Sequence, residues 1–225
     1  MPKHEIIRDV GNSLLGVLRA ELTAARVKAK AHLATPTAEF LKKNTPCIVL
    51  YLYNLRPWIG ARSDEPYYLE EEIVDEKGET HVVRFARPLE LDMRFMLCAA
   101  GDTLEEEYDL LGLGIKAFLD KGKLKNHELA GDSFMKGEDL SIVEDSEFSL
   151  EKCHALFGGF GSGPKIAVGY ATSARLFSGK EVGRTKRVRQ RQIDVFDPLR
   201  PPPGSVAAKE LGMEPRTPKI VSTKK

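Results

Sequence analysis

The chain has 225 residues and a mass of 25.0 kDa, enough to bury one substantial core with an appendage. Its 42% hydrophobic and 30% charged content is that of an ordinary globular protein, and no apolar run approaches the roughly 20 residues that cross a bilayer. The net charge of +1 hides an asymmetry: residues 180–225 hold 12 Lys/Arg against 5 Asp/Glu, a net of +7, so the remainder carries a net of −6.

Taken in order, the N-terminal MPKHEIIRDVGNS lacks the continuous apolar segment and small-residue cleavage site of a secretory signal, so the expectation is a chain that stays in the cytoplasm. Val10, Leu14, Val17, Leu18 and Leu22 recur at helical spacing and predict an amphipathic helix over residues 6–22. Val27, Ala29, Ala31 and Leu33 alternate with Arg26, Lys28, Lys30 and His32, which predicts a strand ended by the turn signal Thr35-Pro36. The run from Cys47 to Leu55 is apolar on both sides, as in a central strand covered on each face. It leads straight into Tyr51, Tyr53, Asn54, Arg56 and Trp58, polar and aromatic groups placed where a sheet surface ends. Tyr53, Asn54, Arg56 and Trp58 are therefore candidate partner contacts. An equally simple reading makes the rings core and Arg56 a solvated loop charge.

Residues 66–88 predict a hairpin around Asp75-Glu76-Lys77-Gly78. From Leu89 to Ala99, Leu89, Leu91, Met93, Phe95 and Leu97 face one way and Glu90, Asp92 and Arg94 the other, the pattern of a half-buried strand. Thr103 and Glu106 form a capping-box signature, opening a helix whose stripe is Leu104, Tyr108, Leu111, Ile115 and Leu119. A shorter helix is predicted near Phe148 to Phe157. The last strand of the body is Lys165 to Phe177, with Ile166, Val168, Tyr170, Thr172, Ala174 and Leu176 on one face. The sum is an α+β domain over residues 1–180, with a mainly antiparallel or mixed sheet and helices packed on it. Residues 181–225 form a basic, proline-rich extension, the boundary falling near Ser178 to Arg184. Pro198, Pro201 to Pro203, Pro215 and Pro218 favour an extended arm there.

Catalytic patterns fail on inspection. In Gly158-Gly159-Phe160-Gly161-Ser162-Gly163-Pro164-Lys165 a proline follows the last glycine, Ile166 follows the lysine, and a strand rather than a helix comes next, so this is not a phosphate loop. It reads as a flexible helix-to-strand connection. The five histidines never fall at ligand spacing with Cys, Asp or Glu, and Cys47, Cys98 and Cys153 read as buried reduced thiols. The expectation is no enzyme, no metal and no cofactor.

Four blocks in order carry a family resemblance: Val10-Gly11-Asn12-Ser13-Leu14-Leu15; Leu50 to Leu55 with Arg62 following; Pro88 to Met93 leading through Gly101 to Glu107 and Leu110-Leu111-Gly112; and Phe148 to Glu151 leading to Val168-Gly169-Tyr170-Ala171-Thr172-Ser173. Over about residues 6–178 the chain resembles the tail-cap, or tube-terminator, family of extracellular contractile injection systems. The resemblance implies a phage tail-terminator-like fold and a structural role: a ring of identical copies, generally six, that seats on the inner-tube protein and the sheath protein of a phage-tail-like particle and stops further polymerisation. Within the extension, Arg184, Lys186, Arg187, Arg189 and Arg191 form a basic cluster. Ile193 and Val195 continue it with partial alternation, so this stretch is a candidate strand for addition to a partner's sheet edge. A different reading of the same cluster is nucleic-acid binding through phosphates. The acidic body and the lack of interleaved aromatics in the tail argue against it.

Overall fold

The structure, a computed structural model, describes residues 4–58, 69–74 and 78–186. Contacts divide the chain into two units, residues 1–69 with 84–182 and residues 70–83 with 183–225.

The first unit is a five-stranded mixed sheet between two helical layers. Its strands are β1 (Lys30–Leu33), β2 (Cys47–Pro57), β5 (Leu89–Ala100), β9 (Ala167–Leu176) and β8 (Val143–Glu144), in the spatial order β1-β2-β5-β9-β8. Only the β1–β2 pair is parallel. Side-chain alternation sends the strands' apolar groups to two cores. On one face Ile48, Leu50, Met93, Phe95, Leu97 and Tyr170 pack against α1 (Ile6–Ala24) and α3 (Leu104–Lys121). On the other, Cys47, Val49, Met96 and Cys98 pack with Leu41 of α2 (Ala38–Asn44) and with Cys153 and Phe157 of α4 (Leu150–Phe160). The expected α+β class agrees with this arrangement; the run from Cys47 to Leu55, expected to be covered on both faces, is buried so at Cys47–Leu50 and is exposed from Asn54 onwards, Leu55 included. The three cysteines are buried and unpaired.

Several expectations need correction. The alternation from Val27 onwards yields strand only at Lys30–Leu33, because α1 runs on to Ala24 and its ending uses the next residues. Arg26 adopts φ 56°, while the Arg26 and Val27 amides donate to the Thr23 and Leu22 carbonyls at 3.1 Å each, closing the helix with a left-handed turn. Helix α2 has no counterpart in the sequence reading. Thr37, whose hydroxyl accepts from the Phe40 amide at 3.2 Å, is the signal that marks it. Strand β5 is half-buried only at its start: from Phe95 onwards both faces are covered.

The predicted stripe of α3 is largely displaced. Leu104, Tyr108 and Leu119 are exposed, and the buried face is Leu110, Leu111, Gly114, Ala117 and Phe118. Ranking by side-chain size misses the small residues that let a helix sit close: a Cβ at Gly114 would lie 3.1 Å from Leu97. Phe118 then reaches Tyr170 edge-on, with ring centroids 4.7 Å apart. The capping box is also altered. Thr103 accepts from the Glu106 amide at 3.2 Å, but the Glu106 carboxylate takes the Asp102 amide at 2.7 Å, one residue earlier than the motif prescribes. Gly158 and Gly159, read as connection, lie in the last turn of α4, which ends at Gly161 with φ 65°.

The link from α3 to α4 carries β6 (Lys123–Leu124), paired with β7 (Leu140–Ser141), and then β8, each too short to show a period. The second unit holds a three-stranded sheet in the order β10-β4-β3, formed by the hairpin strands β3 (Leu69–Val74) and β4 (Thr80–Phe85) with β10 (Glu181–Lys186). Of the expected hairpin turn, Asp75, Glu76 and Lys77 lie outside the described residues.

Candidate functional site

The site is built by a defect in the β2–β5 ladder. Leu52 stands opposite Phe95 and Asn54 opposite Arg94, so Tyr53 is an extra residue, a β-bulge. Before the bulge, odd-numbered residues Cys47, Val49, Tyr51 and Tyr53 face α4; after it Arg56 pairs with Asp92 on that same face. Strict alternation would have put Tyr53 and Arg56 on opposite sides of the sheet. The bulge brings them together, beyond the end of α4, beside the polar side chains of β5.

The third contributor is the turn between β8 and α4. The Asp145 amide donates to the Gly169 carbonyl of β9 at 2.9 Å, which ties the turn to the sheet. Gly169 has to lack a side chain, since a Cβ there would lie 2.3 Å from Phe148. The Phe148 ring in turn packs against Tyr53, with centroids 5.3 Å apart, and Ser149 caps α4 by accepting from the Lys152 amide at 3.3 Å.

Arg94 is the centre of the resulting network. Its guanidinium donates to Asp145 at 2.6 Å and to Asp92 at 3.3 Å, and lies 3.0 Å from a Glu147 oxygen. Arg56 donates to Asp92 at 3.0 Å and stands 3.6 Å from Glu147. Tyr53 donates its hydroxyl to Asp145, whose other oxygen also accepts from the Glu147 amide at 3.0 Å. Burial, reinforced by the hydrogen bond to the Asp145 carboxylate, pushes the Tyr53 phenol well above its ordinary range. Burial opposes the charge on Arg94, but the surrounding Asp145, Asp92 and Glu147 outweigh it and raise its pKa. The Asp145 side chain is 2% exposed and that of Arg94 11%, whereas Glu147 at 55% and Arg56 at 48% meet solvent. The cluster therefore has a rigid buried base and a charged rim. Such a base fixes the rim's position at the surface, and both Asp145 oxygens are already occupied by donors.

Of the sequence-predicted contacts, Tyr53 and Arg56 are thus joined in one network, while Asn54 is exposed beside it. Trp58 is 53% exposed and its amide donates to the Glu90 carbonyl at 2.9 Å. Arg56 lies on a strand rather than in a loop. Arg184 and Lys186 lie on β10 of the second unit. Arg62, Arg187, Arg189, Arg191, Ile193 and Val195 lie outside the described residues. Asp92, Arg94, Asp145 and Glu147 were not read as site residues. For Asp92 and Arg94 the signal was present as the polar face of β5, but Asp145 and Glu147, which pair with Arg94, come from a turn more than fifty residues on.

The sequence matches the family described as the Pvc16 N-terminal domain over residues 9–191, most of the chain. This protein belongs to that family. No curated protein matches it significantly. Among solved structures, the chain is similar to the sheath/tube terminator of the PVC extracellular contractile injection system in its extended state, with a TM-score of 0.56 and 13% identity. That match covers 96% of this chain and 74% of the other. It is also similar to the tube-terminating cap of the anti-feeding prophage, with a TM-score of 0.54 and 13% identity over 84% of this chain and 63% of the other. At that identity the likeness is one of fold. The Pvc16-type domain accordingly keeps this α+β architecture while most side chains differ.

Proposed function

We propose that this chain is the terminating cap of a contractile injection system, a non-enzymatic structural subunit that ends the inner tube and contacts the end of the sheath. The observation that carries the reading is membership of the Pvc16 N-terminal domain family across residues 9–191, joined to the fold it shares with a sheath/tube terminator and a tube-terminating cap. In this reading copies of the chain form a closed ring on the last tube ring. Six copies of 25.0 kDa give a ring of about 150 kDa. Assembly takes place in the cytoplasm, as part of a phage-tail-like particle. Termination requires one face that matches the tube end and another that accepts no further ring. The Arg94 network suits such a face, since its rim charges are held by a buried base and lose little freedom on docking. The basic extension, residues 181–225, is the arm that reaches the sheath.

The test is negative-stain electron microscopy of particles from cells lacking the gene and from cells with it restored. Tubes of uncontrolled length, or tubes without sheath, are expected in the deletion. Particles of normal length and normal sheath would refute the cap reading. A chain ending before Arg184 should keep the fold of the first unit and lose sheath attachment; unchanged sheath attachment would remove the arm from the account.

A further inference from the structure

The five-stranded sheet ends in two edges of opposite charge. At one, the segment from Leu22 to Ala38 contains Arg26, Lys28 and Lys30 and no Asp or Glu. At the other, the segment from Glu138 to Glu151 contains six Asp and Glu residues and no Lys or Arg; Asp139, Asp145 and Glu147 are ion-paired with Lys123, Arg94 and Arg56, which leaves Glu138, Glu144 and Glu151 to set the charge of this edge. The first supplies β1 and the second supplies β8, the outermost strands of the order β1-β2-β5-β9-β8. The two charges are therefore separated by the full width of the sheet.

We infer that copies of this chain associate head to tail, the basic β1 edge of one copy against the acidic β8 edge of the next; the inference deepens the ring reading above and rests on it. Three observations support a second copy as the occupant. Charge complementarity is the first, and it also excludes the alternative self-pairings, because β1 against β1 or β8 against β8 would bring like charges together. Second, each edge has exposed apolar groups beside its charges, Val27 and Leu33 at the basic edge and Val143 and Leu150 at the acidic one, the apolar centre and charged rim of a protein interface. Third, the basic edge is concave. A cleft of about 390 Å³ opens between the end of α1 and β1, and its lining includes Arg19, Thr23, Val27, Lys30 and His32 and no acidic residue. An incoming carboxylate side chain supplies the countercharge that this cleft lacks. A contact between two different patches on identical subunits is heterologous, the kind that closes into rings.

The experiment is sedimentation velocity on the full chain, up to about 100 μM, with two charge-reversed variants. Lys28→Glu/Lys30→Glu makes both edges acidic, and Glu144→Lys/Glu151→Lys makes both basic, since two lysines then stand against Glu138, the one acid of that segment left unreversed and outside the ion pairs to Lys123, Arg94 and Arg56. All four side chains are exposed, so the fold is retained, which circular dichroism checks. The wild type should sediment as an oligomer that weakens as salt rises from about 0.1 to 0.5 M. Each variant alone should associate at least about tenfold more weakly. An equimolar mixture of the two should recover assembly, because every junction again joins opposite charges. A wild type that stays monomeric, variants that assemble as the wild type does, or a mixture that fails to recover would each overturn edge pairing. None of these results decides the cap reading, which stands or falls on the particles made without the gene.

Discussion

Replacing Arg94 by methionine isolates the base of the charged cluster. The substitution keeps an unbranched stem of similar reach and removes the guanidinium, so Asp145, 2% exposed, loses its ionic partner at 2.6 Å and keeps only the Tyr53 hydroxyl and the Glu147 amide. Removing one member of a fully buried pair costs about 3–5 kcal/mol, and removing one from an exposed pair at most about 1 kcal/mol. Arg94 stands between these limits, because its contacts to Asp92 and Glu147 are screened by water on the solvent side. A loss of about 2–3 kcal/mol is expected, which for a chain of this size lowers Tm by about 4–12 °C. Urea and thermal denaturation measure it, and Asp145→Asn gives the companion variant. If the pair works as described, the double variant should lose less than the sum of the singles, with a coupling of about 1 kcal/mol or more. An Arg94→Met protein within about 0.5 kcal/mol of wild type, or strictly additive singles, would show that the cluster is no more than a set of solvated surface charges.

Three further outcomes follow from packing and titration. Gly169→Val should lose about 2–4 kcal/mol and expose Phe148, because its side chain would occupy the space of that ring, and hydrogen exchange at residues 145–149 reports the displaced turn. Burial raises the thiol pKa of Cys47 and Cys153 and pushes that of Cys98 up to about 12, so iodoacetamide at pH 8 should leave all three unmodified in the native chain and label all three in urea; rapid native labelling of Cys98 would contradict the two-sided core. Burial, with Lys30 and Arg19 adding to it, lowers the pKa of His32 below its ordinary 6.5. The unfolded chain then takes up this proton first, so the contribution of His32 is intact above pH 6.5 and is lost as pH falls through the folded-state value. His32→Gln should flatten that part of the acid-stability profile, and an unchanged profile would refute the assignment.

The two-sided burial of the first half of β2, the amphipathic α1 and the face of β9 were legible because long elements repeat their period enough times to be read. The ladder defect at Tyr53 was not, since an apolar run that contains an extra residue looks like one that does not; only the pairing of Leu52 with Phe95 and Asn54 with Arg94 exposes it. The core stripe of α3 was missed because Gly114 and Ala117 contribute closeness rather than bulk. Helix α2, seven residues long, is shorter than two full turns and was signalled only by its Thr37 cap. The Arg94 network needed residues from β2, β5 and a distant turn. No local pattern connects Arg94 with Asp145.

The bulge has a consequence for how this part of the chain can vary over generations. Substitutions within β2 are absorbed one side chain at a time, but the face shared by Tyr53 and Arg56 depends on the extra residue. Losing Tyr53 itself would restore a regular ladder and leave Asn54 opposite Arg94 and Arg56 opposite Asp92, but Asp145 would lose the hydroxyl that donates to it. Descendants of this chain can therefore shorten the strand at this one position and still keep Arg56 beside Asp92, whereas those that keep Tyr53 on the same face as Arg56 must keep the extra residue.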